Sequence, residues 1–185
     1  MSQNLAHKPI WTYADYCVLP QDYRRHEIIE GDHIVTPSPS SRHQKVLATL
    51  QFYLDSHIRS QKLGTLLFAP MDVVLSETSV VQPDLLFVSR PREHIITEPY
   101  VDGPPDLVIE ILSPSTASMD RGGKMRLYAK YGIPHYWIVD ATEVTLETFE
   151  LQDSQYELQA KFARAETAES SLFPGLSIPM AELGK

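Results

Sequence analysis

The sequence predicts a single domain of the mixed α/β (α+β) class: a mixed β-sheet flanked by helices, with a C-terminal β-hairpin. Three observations carry this. Apolar, β-branched runs such as Leu85-Leu86-Phe87-Val88 and Leu107-Val108-Ile109-Glu110-Ile111-Leu112 are bounded by Pro- and Gly-containing loops. Long helical spacing occurs in two segments, ending near Gln61 and near Tyr131. Strands and helices alternate, in the order β, β, α, several β, α, β.

Residues 1–20 read as a loose N-terminal arm with one short helix from Thr12 to Cys17, where Thr12 and Asp15 have capping-box spacing with Asp in place of Glu. Arg25-His26-Glu27-Ile28-Ile29-Glu30, Gly31-Asp32 and His33-Ile34-Val35 predict two strands joined by a hairpin turn. Thr36-Pro37-Ser38-Pro39-Ser40-Ser41 is a loop. Ser40 or Ser41 caps a helix to about Gln61, whose Val46, Leu47, Leu50, Tyr53, Leu54, His57 and Ile58 lie at helical spacing. Residues 65–75 give one or two strands. The runs holding Asp84 and Glu110 follow, separated by a loop through Pro91, Pro99 and Pro104-Pro105. A helix from about Ala117 to Tyr131 stops at Gly132-Ile133-Pro134, since Gly accepts a left-handed cap and Pro cannot continue a helix. His135 to Asp140 is a buried strand, 144–151 and 155–163 form the hairpin around Asp153-Ser154, and Phe173-Pro174-Gly175-Leu176 turns into a last short strand.

The 185 residues are enough for one domain with a real core, and 43% hydrophobic with 22% charged residues is ordinary for a globular chain. No apolar run approaches the roughly 18 residues that span a bilayer, and the N-terminus lacks a basic and apolar leader, so a cytoplasmic location is expected. The single cysteine, Cys17, forms no intrachain disulfide and reads as a packed small hydrophobe. A net charge of −8 argues against a chain coated in nucleic acid, but is compatible with an acidic metal site beside a local basic surface.

The chemistry concentrates between residues 81 and 124. Asp84 opens one apolar run and Glu110 is the only charge within Leu107–Leu112. An unpaired carboxylate in such a setting costs several kcal/mol, roughly, and a divalent cation removes the objection. Lys124 follows Glu110 by fourteen residues, on the predicted helix. Two carboxylates from neighbouring strands and a lysine form a site suited to metal-dependent phosphodiester hydrolysis. In it Asp84 and Glu110 would ligate Mg²⁺ or Mn²⁺, while Lys124 would orient water or stabilise phosphate charge. Glu27, on a strand, and His43, opening a helix, are second-tier candidates. Asp106 reads as a structural turn acid and Asp120 as a helix-start acid. His26, His33, His57 and His135 have no zinc-hydrolase spacing.

With these residues in hand, the chain resembles the Uma-type restriction endonuclease family, within the PD-(D/E)XK nuclease superfamily. The matching stretches are Tyr23–Gly31, Pro37–His43, Pro83-Asp84, Pro105–Ser115, Asp120–Lys124 and Tyr131–Asp140, and the resemblance spans about residues 11–180. It implies a restriction-endonuclease-like fold and a Mg²⁺-dependent nuclease site of Asp84, Glu110 and Lys124 acting on DNA. Leu112 stands where the superfamily motif has its lysine, so Lys124 has to supply that function. A homodimer is expected, because two antiparallel strands are naturally cut by a two-fold pair of sites. Two other readings stay open: a non-catalytic binding or regulatory module that keeps the fold, and a metal-dependent hydrolase of a small phosphoester.

Overall fold

The computed structural model describes residues 8–20, 22 and 24–185. A six-stranded mixed sheet organises the chain. Its order is β11-β10-β9-β8-β6-β3, formed by β3 (Gly64–Phe68), β6 (Leu85–Ser89), β8 (Leu107–Leu112), β9 (His135–Asp140), β10 (Thr145–Gln152) and β11 (Gln155–Phe162). Only β8 and β9 run parallel, in the register Glu110↔Ile138. That parallel pair requires a crossover. It is supplied by one continuous helical segment made of α3 (Ala117–Met119), a π turn (Asp120–Lys124) and α4 (Met125–Lys130). The predicted helix to Tyr131 is therefore present but contains a π turn that its spacing did not signal.

A second, five-stranded sheet, which no pattern in the sequence separated from the first, has the order β2-β1-β5-β4-β7. Its strands are β1 (Arg25–Ile29), β2 (Asp32–Thr36), β4 (Val73–Ser76), β5 (Ser79–Val81) and β7 (Val101–Asp102). The stretch 81–88 is thus divided: Val81 ends one sheet, Leu85 begins the other, and Gln82-Pro83-Asp84 connects them. The last strands, β12 (Thr167–Ala168) and β13 (Ile178–Pro179), pair with each other.

The central sheet has an apolar layer on each face, as alternation of side chains along a strand requires. On one face Leu85, Phe87, Leu107, Ile109, Ile111, Trp137 and Val139 pack against the helix α2 (Ser41–Gln61), through its Val46, Leu47, Leu50, Leu54 and Ile58. Ser40 caps α2 by accepting the His43 N–H at 3.3 Å, and Lys62 ends it in the left-handed region at φ 56°. On the other face Leu86, Val88, Val108, Tyr136 and Ile138 meet Leu127 and Tyr128 of α4 and Ile29, Val73, Val81 and Val101 of the second sheet. Glu110 belongs to this second face, because it alternates with Ile109 and Ile111.

Local expectations fare well. The hairpin β10–β11 turns at Asp153-Ser154, both at positive φ (45° and 70°). The short helix α1 (Tyr13–Cys17) carries the Thr12–Asp15 capping box, with Asp15 accepting from the Thr12 N–H at 2.9 Å. Residues 1–7 of the expected arm lie outside the described residues. One expectation fails: Cys17 is exposed rather than packed, because α1 buries no residue at all.

Gly64 opens β3 against β6, and a Cβ there would sit 2.1 Å from the Val88 carbonyl oxygen and 2.8 Å from the Arg90 nitrogen. Gly103, at φ 103°, has no atom within 4 Å of such a Cβ. Gly64→Ala should therefore destabilise the fold by about 3 kcal/mol or more, since backbone has to move. Gly103→Ala should cost only about 1 kcal/mol of conformational strain. Urea denaturation of the two variants checks this, and equal losses would contradict the packing argument.

Candidate active site

The two carboxylates singled out from sequence meet at one end of the β6–β8 pair, Asp84 just before β6 and Glu110 within β8. β6 and β8 are antiparallel with Leu85↔Ile109 and Leu86↔Val108, and one further step of that register sets Asp84 opposite Glu110. The Ile111 N–H donates to Asp84 Oδ2 at 2.8 Å, tying the lip of β6 to the end of β8. Both side chains are almost completely buried, yet both line the floor of a pocket of about 660 Å³.

Lys124 reaches that floor from the crossover. A parallel β8–helix–β9 connection returns over one face of the sheet, here the face that Glu110 presents. Lys124 Nζ lies 3.0 Å from Glu110 Oε1, 2.8 Å from Glu27 Oε1 and 4.0 Å from Asp120 Oδ1. The Tyr128 hydroxyl, one turn further along, donates to the same Glu110 oxygen at 2.6 Å. Asp120, Lys124 and Tyr128 form an i, i+4, i+8 stripe. In a uniform α-helix such a stripe drifts by about 80°, and the wider π turn between Asp120 and Lys124 takes up part of that drift.

The second sheet supplies the opposite wall. Arg25, Glu27 and Ile29 alternate onto the inward face of β1. An Arg25 guanidinium N–H donates to Asp84 Oδ1 at 2.8 Å, and Glu27 Oε1 also accepts the Gln82 N–H at 2.9 Å. From α2, His43 Nε2 lies 2.9 Å from Asp84 Oδ2. Because an ionised carboxylate can only accept, Nε2 carries the proton and donates it. Among the described residues, His43 Nδ1 and Asp120 Oδ1 are left buried without a hydrogen-bond partner.

All five residues named from sequence thus converge: Asp84, Glu110, Lys124, Glu27 and His43. Three members were missed. The signals that could have pointed to them are spacing alone: Arg25 lies two before Glu27 on one strand, and Tyr128 four after Lys124. Asp120, read as a helix-start acid, is instead buried against Lys124, because the π turn directs it inward. Asp106 behaves as expected of a structural acid, accepting the Ser89 N–H at 2.7 Å and pairing with Arg92 at 2.8 Å.

The chain matches the family described as "Uma2: Putative restriction endonuclease" over residues 13–181. It belongs to that family. Among relatives, the uncharacterized protein slr1290 of Synechocystis sp. (strain ATCC 27184 / PCC 6803 / Kazusa) is 26% identical over 161 residues, 80% of this chain and 81% of that one. The crystal structure of a "putative nuclease belonging to DUF820" from Anabaena variabilis ATCC 29413 aligns with a TM-score of 0.76 at 20% identity, covering 94% of this chain and 97% of that chain. At that identity the likeness speaks for the fold alone, which is the predicted mixed α+β, restriction-endonuclease-like architecture.

The electrostatics of this Uma2-family site follow from its charge count. Glu27, Asp84, Glu110 and Asp120 bring four buried carboxyls, against Arg25 and Lys124 as standing cations. Burial disfavours the Lys124 ammonium, but Glu110, Glu27 and Asp120 outweigh it and hold the amine charged, above its ordinary range. One ammonium cannot neutralise three carboxylates. Burial, only partly offset by Lys124, pushes Glu110 up to about 8, and Asp120 is raised for the same reasons. Asp84 behaves oppositely: burial opposes its ionisation, yet the His43 hydrogen bond and the Arg25 charge hold it at about 2.

These directions predict a pH profile for the metal-free protein. Glu110 binds its proton more tightly folded than unfolded, so the native state holds the extra proton between about pH 4.5 and 8, and stability falls as pH rises through that window. Asp84 acts below it, its stabilisation being lost as pH falls from 3.8 toward 2. Denaturant melts in EDTA across the range should show a decline toward pH 8 in wild type and a flatter profile in Glu110→Gln. A wild-type profile level from pH 4.5 to 8 would contradict the assignment.

Proposed function

We propose that this protein is a divalent-cation-dependent nuclease that hydrolyses phosphodiester bonds in DNA. The observation that carries the reading is the placement of Asp84 opposite Glu110 across β6 and β8, with the Lys124 ammonium 3.0 Å from Glu110. Membership of the Uma2 family supports it.

The donor set fits a hard cation such as Mg²⁺ or Mn²⁺. Fully ionised, the four carboxyls would exceed Arg25 and Lys124 by two negative charges, which one divalent ion would balance, and among the described residues Asp120 Oδ1 is buried without a hydrogen-bond partner. Among the described residues no three His, Cys, Asp or Glu side chains already form an assembled metal centre. Loading would therefore draw Asp84 from its hydrogen bonds with Arg25 and His43. Asp84 and Glu110 would hold the ion, which when bound supplies charge stabilisation at the phosphate and lowers the pKa of water. Lys124, fixed by Glu27 and Glu110, would keep an ammonium beside the reacting phosphate and hold the attacking water in line. Arg25, released from Asp84, would offer its guanidinium to a phosphate oxygen. His43 Nδ1, without a hydrogen-bond partner among the described residues, would accept a proton at the pocket floor.

Cutting both strands of a duplex would call for a homodimer, each protomer contributing one such pocket. A second reading has its own observation. Lys124 is held by Glu27 as well as by Glu110, and Asp84 is capped by Arg25 and His43, the pattern of a site whose charges satisfy one another in a non-catalytic binding module.

Plasmid cleavage with Mg²⁺ or Mn²⁺ separates the two. Wild type should nick or linearise DNA, and Glu110→Gln should lose both cleavage and metal affinity. Lys124→Ala should lose turnover by on the order of a hundredfold or more while keeping most of its Mg²⁺ affinity. In EDTA the same change should cost about 3–5 kcal/mol, because it leaves buried carboxylates unpaired. Normal metal binding by wild type without cleavage of any DNA would favour the binding module.

Metal linkage gives an independent test. Mg²⁺ at a hundred times its dissociation constant should stabilise the native state by about 2.7 kcal/mol. Thermal melts with and without Mg²⁺ should show this for wild type, and a much smaller shift for Asp84→Asn. An equal shift in the variant would place the ion elsewhere.

A further inference from the structure

A second hollow, of about 360 Å³, adjoins the acidic pocket and carries the opposite charge. Arg42, Lys45, Arg164 and Lys185 line it, and no Asp or Glu side chain does. It shares Ser41, Arg42, Ala141 and Thr142 with the pocket above Asp84 and Glu110, so the two adjoin across a common wall. In a chain with 16 Lys and Arg against 24 Asp and Glu, such a basic concentration runs against the overall balance.

The pairing of these cations is the more telling feature. Among the described residues, Lys8, Arg24, Arg25, Arg59, Arg92, Arg121, Lys124, Lys130, Lys161 and Lys185 form ion pairs with carboxylates. That leaves six of the 16 without one: Arg42, Lys45, Lys62, Arg90, Arg126 and Arg164. Three of those six line this one hollow. A cation with no internal partner presents its whole field to an outside anion, whereas a paired one has first to be released. Arg42 and Lys45 stand three apart in the first turns of α2, on one side of the helix, where the positive end of its dipole adds to their charge. Arg164 arrives from the segment after β11, 119 positions beyond Lys45, so folding assembles the patch from distant parts of the chain.

We infer that Arg42, Lys45 and Arg164 form a phosphate track that holds the DNA backbone beside the bond to be cut. The inference rests on the nuclease reading for the position of that bond. Its logic is electrostatic. The pocket floor is crowded with carboxyls, and its two cations, Arg25 and Lys124, are already paired with them, so it offers a phosphate little free positive charge. A strand crossing it needs anchoring positive charge on an adjoining surface, and contacts to phosphates fix register without reading sequence. DNA offers charges at regular intervals, so one strand can meet the acidic pocket and the basic hollow together. Ser41 and Thr142, on the shared wall, offer hydroxyls between the two.

The test measures binding apart from cleavage. A fluorescent DNA duplex is titrated with wild type, with Arg42→Ala/Lys45→Ala/Arg164→Ala, and with the control Lys62→Ala/Arg90→Ala/Arg126→Ala, over a range of NaCl with EDTA present. Each lost phosphate contact lowers the slope of log Kobs against log salt by about 0.9, so the track variant should lose roughly 2 to 3 from the slope and at least about tenfold in affinity at low salt. The control should stay within about twofold of wild type. Unchanged slope in the track variant, equal losses in the control, or no DNA binding by wild type would each overturn the inference. Circular dichroism of both triple variants confirms that they are folded, as substitutions at exposed positions allow. Wild type that binds with the expected slope but never cuts sinks the nuclease reading and keeps the track. Wild type that cuts DNA, with KM unchanged in the track variant, does the reverse.

Discussion

One buried ammonium organises the centre of this protein. Lys124 Nζ sits under the central sheet against carboxyls from three separate elements: Glu27 from β1, Glu110 from β8 and Asp120 from the π turn. Removing such a charge from water costs several kcal/mol, roughly, and the cost is met only when partners and hydrogen bonds surround it. The surroundings follow from this. The second sheet has to close over the first to bring Glu27, and the crossover has to turn its Asp120–Lys124–Tyr128 stripe toward β8. A purely apolar filling of the same volume could be equally stable, so stability alone does not account for these residues.

The fold answers this requirement with topology. Four of the five neighbouring strand pairs of the central sheet are antiparallel, but the parallel β8–β9 pair demands a crossover and so delivers a helix to the Glu110 face. The ammonium that meets Glu110 thus arrives from the crossover, while the next position of β8 on the same face is Leu112. The opposite face is chiefly a packing layer. There α2 buries Val46, Leu50 and Leu54 against Phe87, Ile109 and Trp137, a packing layer that holds the strands rigid while α2 presents His43 at its first turn.

Charge is distributed with the same economy. The chain is acidic overall, and at the pocket floor four buried carboxyls stand against two cations, Arg25 and Lys124, both already paired. Most surface cations are spent on neighbouring acids, whereas Arg42, Lys45 and Arg164 are left free around one hollow next to that floor. An acidic protein can in this way meet a polyanion locally, which a net charge of −8 does not reveal.

The sequence by itself determined the local elements and the identity of the central acids. Helix α2 was legible because its apolar residues keep a 3.6-residue period and Ser40 caps it. The β10–β11 hairpin was legible because Asp153-Ser154 interrupts two runs of period two. Asp84 and Glu110 stood out because charge in an apolar strand is costly without a partner, and family resemblance joined Lys124 to them. Tertiary structure decided the rest. Whether Val81 and Leu85 belong to one strand or to two sheets depends on which partners their backbone finds. Cys17 is exposed because α1 buries no face, and periodicity in five residues cannot report that. Arg25, Asp120 and Tyr128 joined the site only when the second sheet and the π turn fixed which way their faces point. Local pattern records which side of an element is apolar; long-range packing alone selects what that side, and the charges along its edge, will meet.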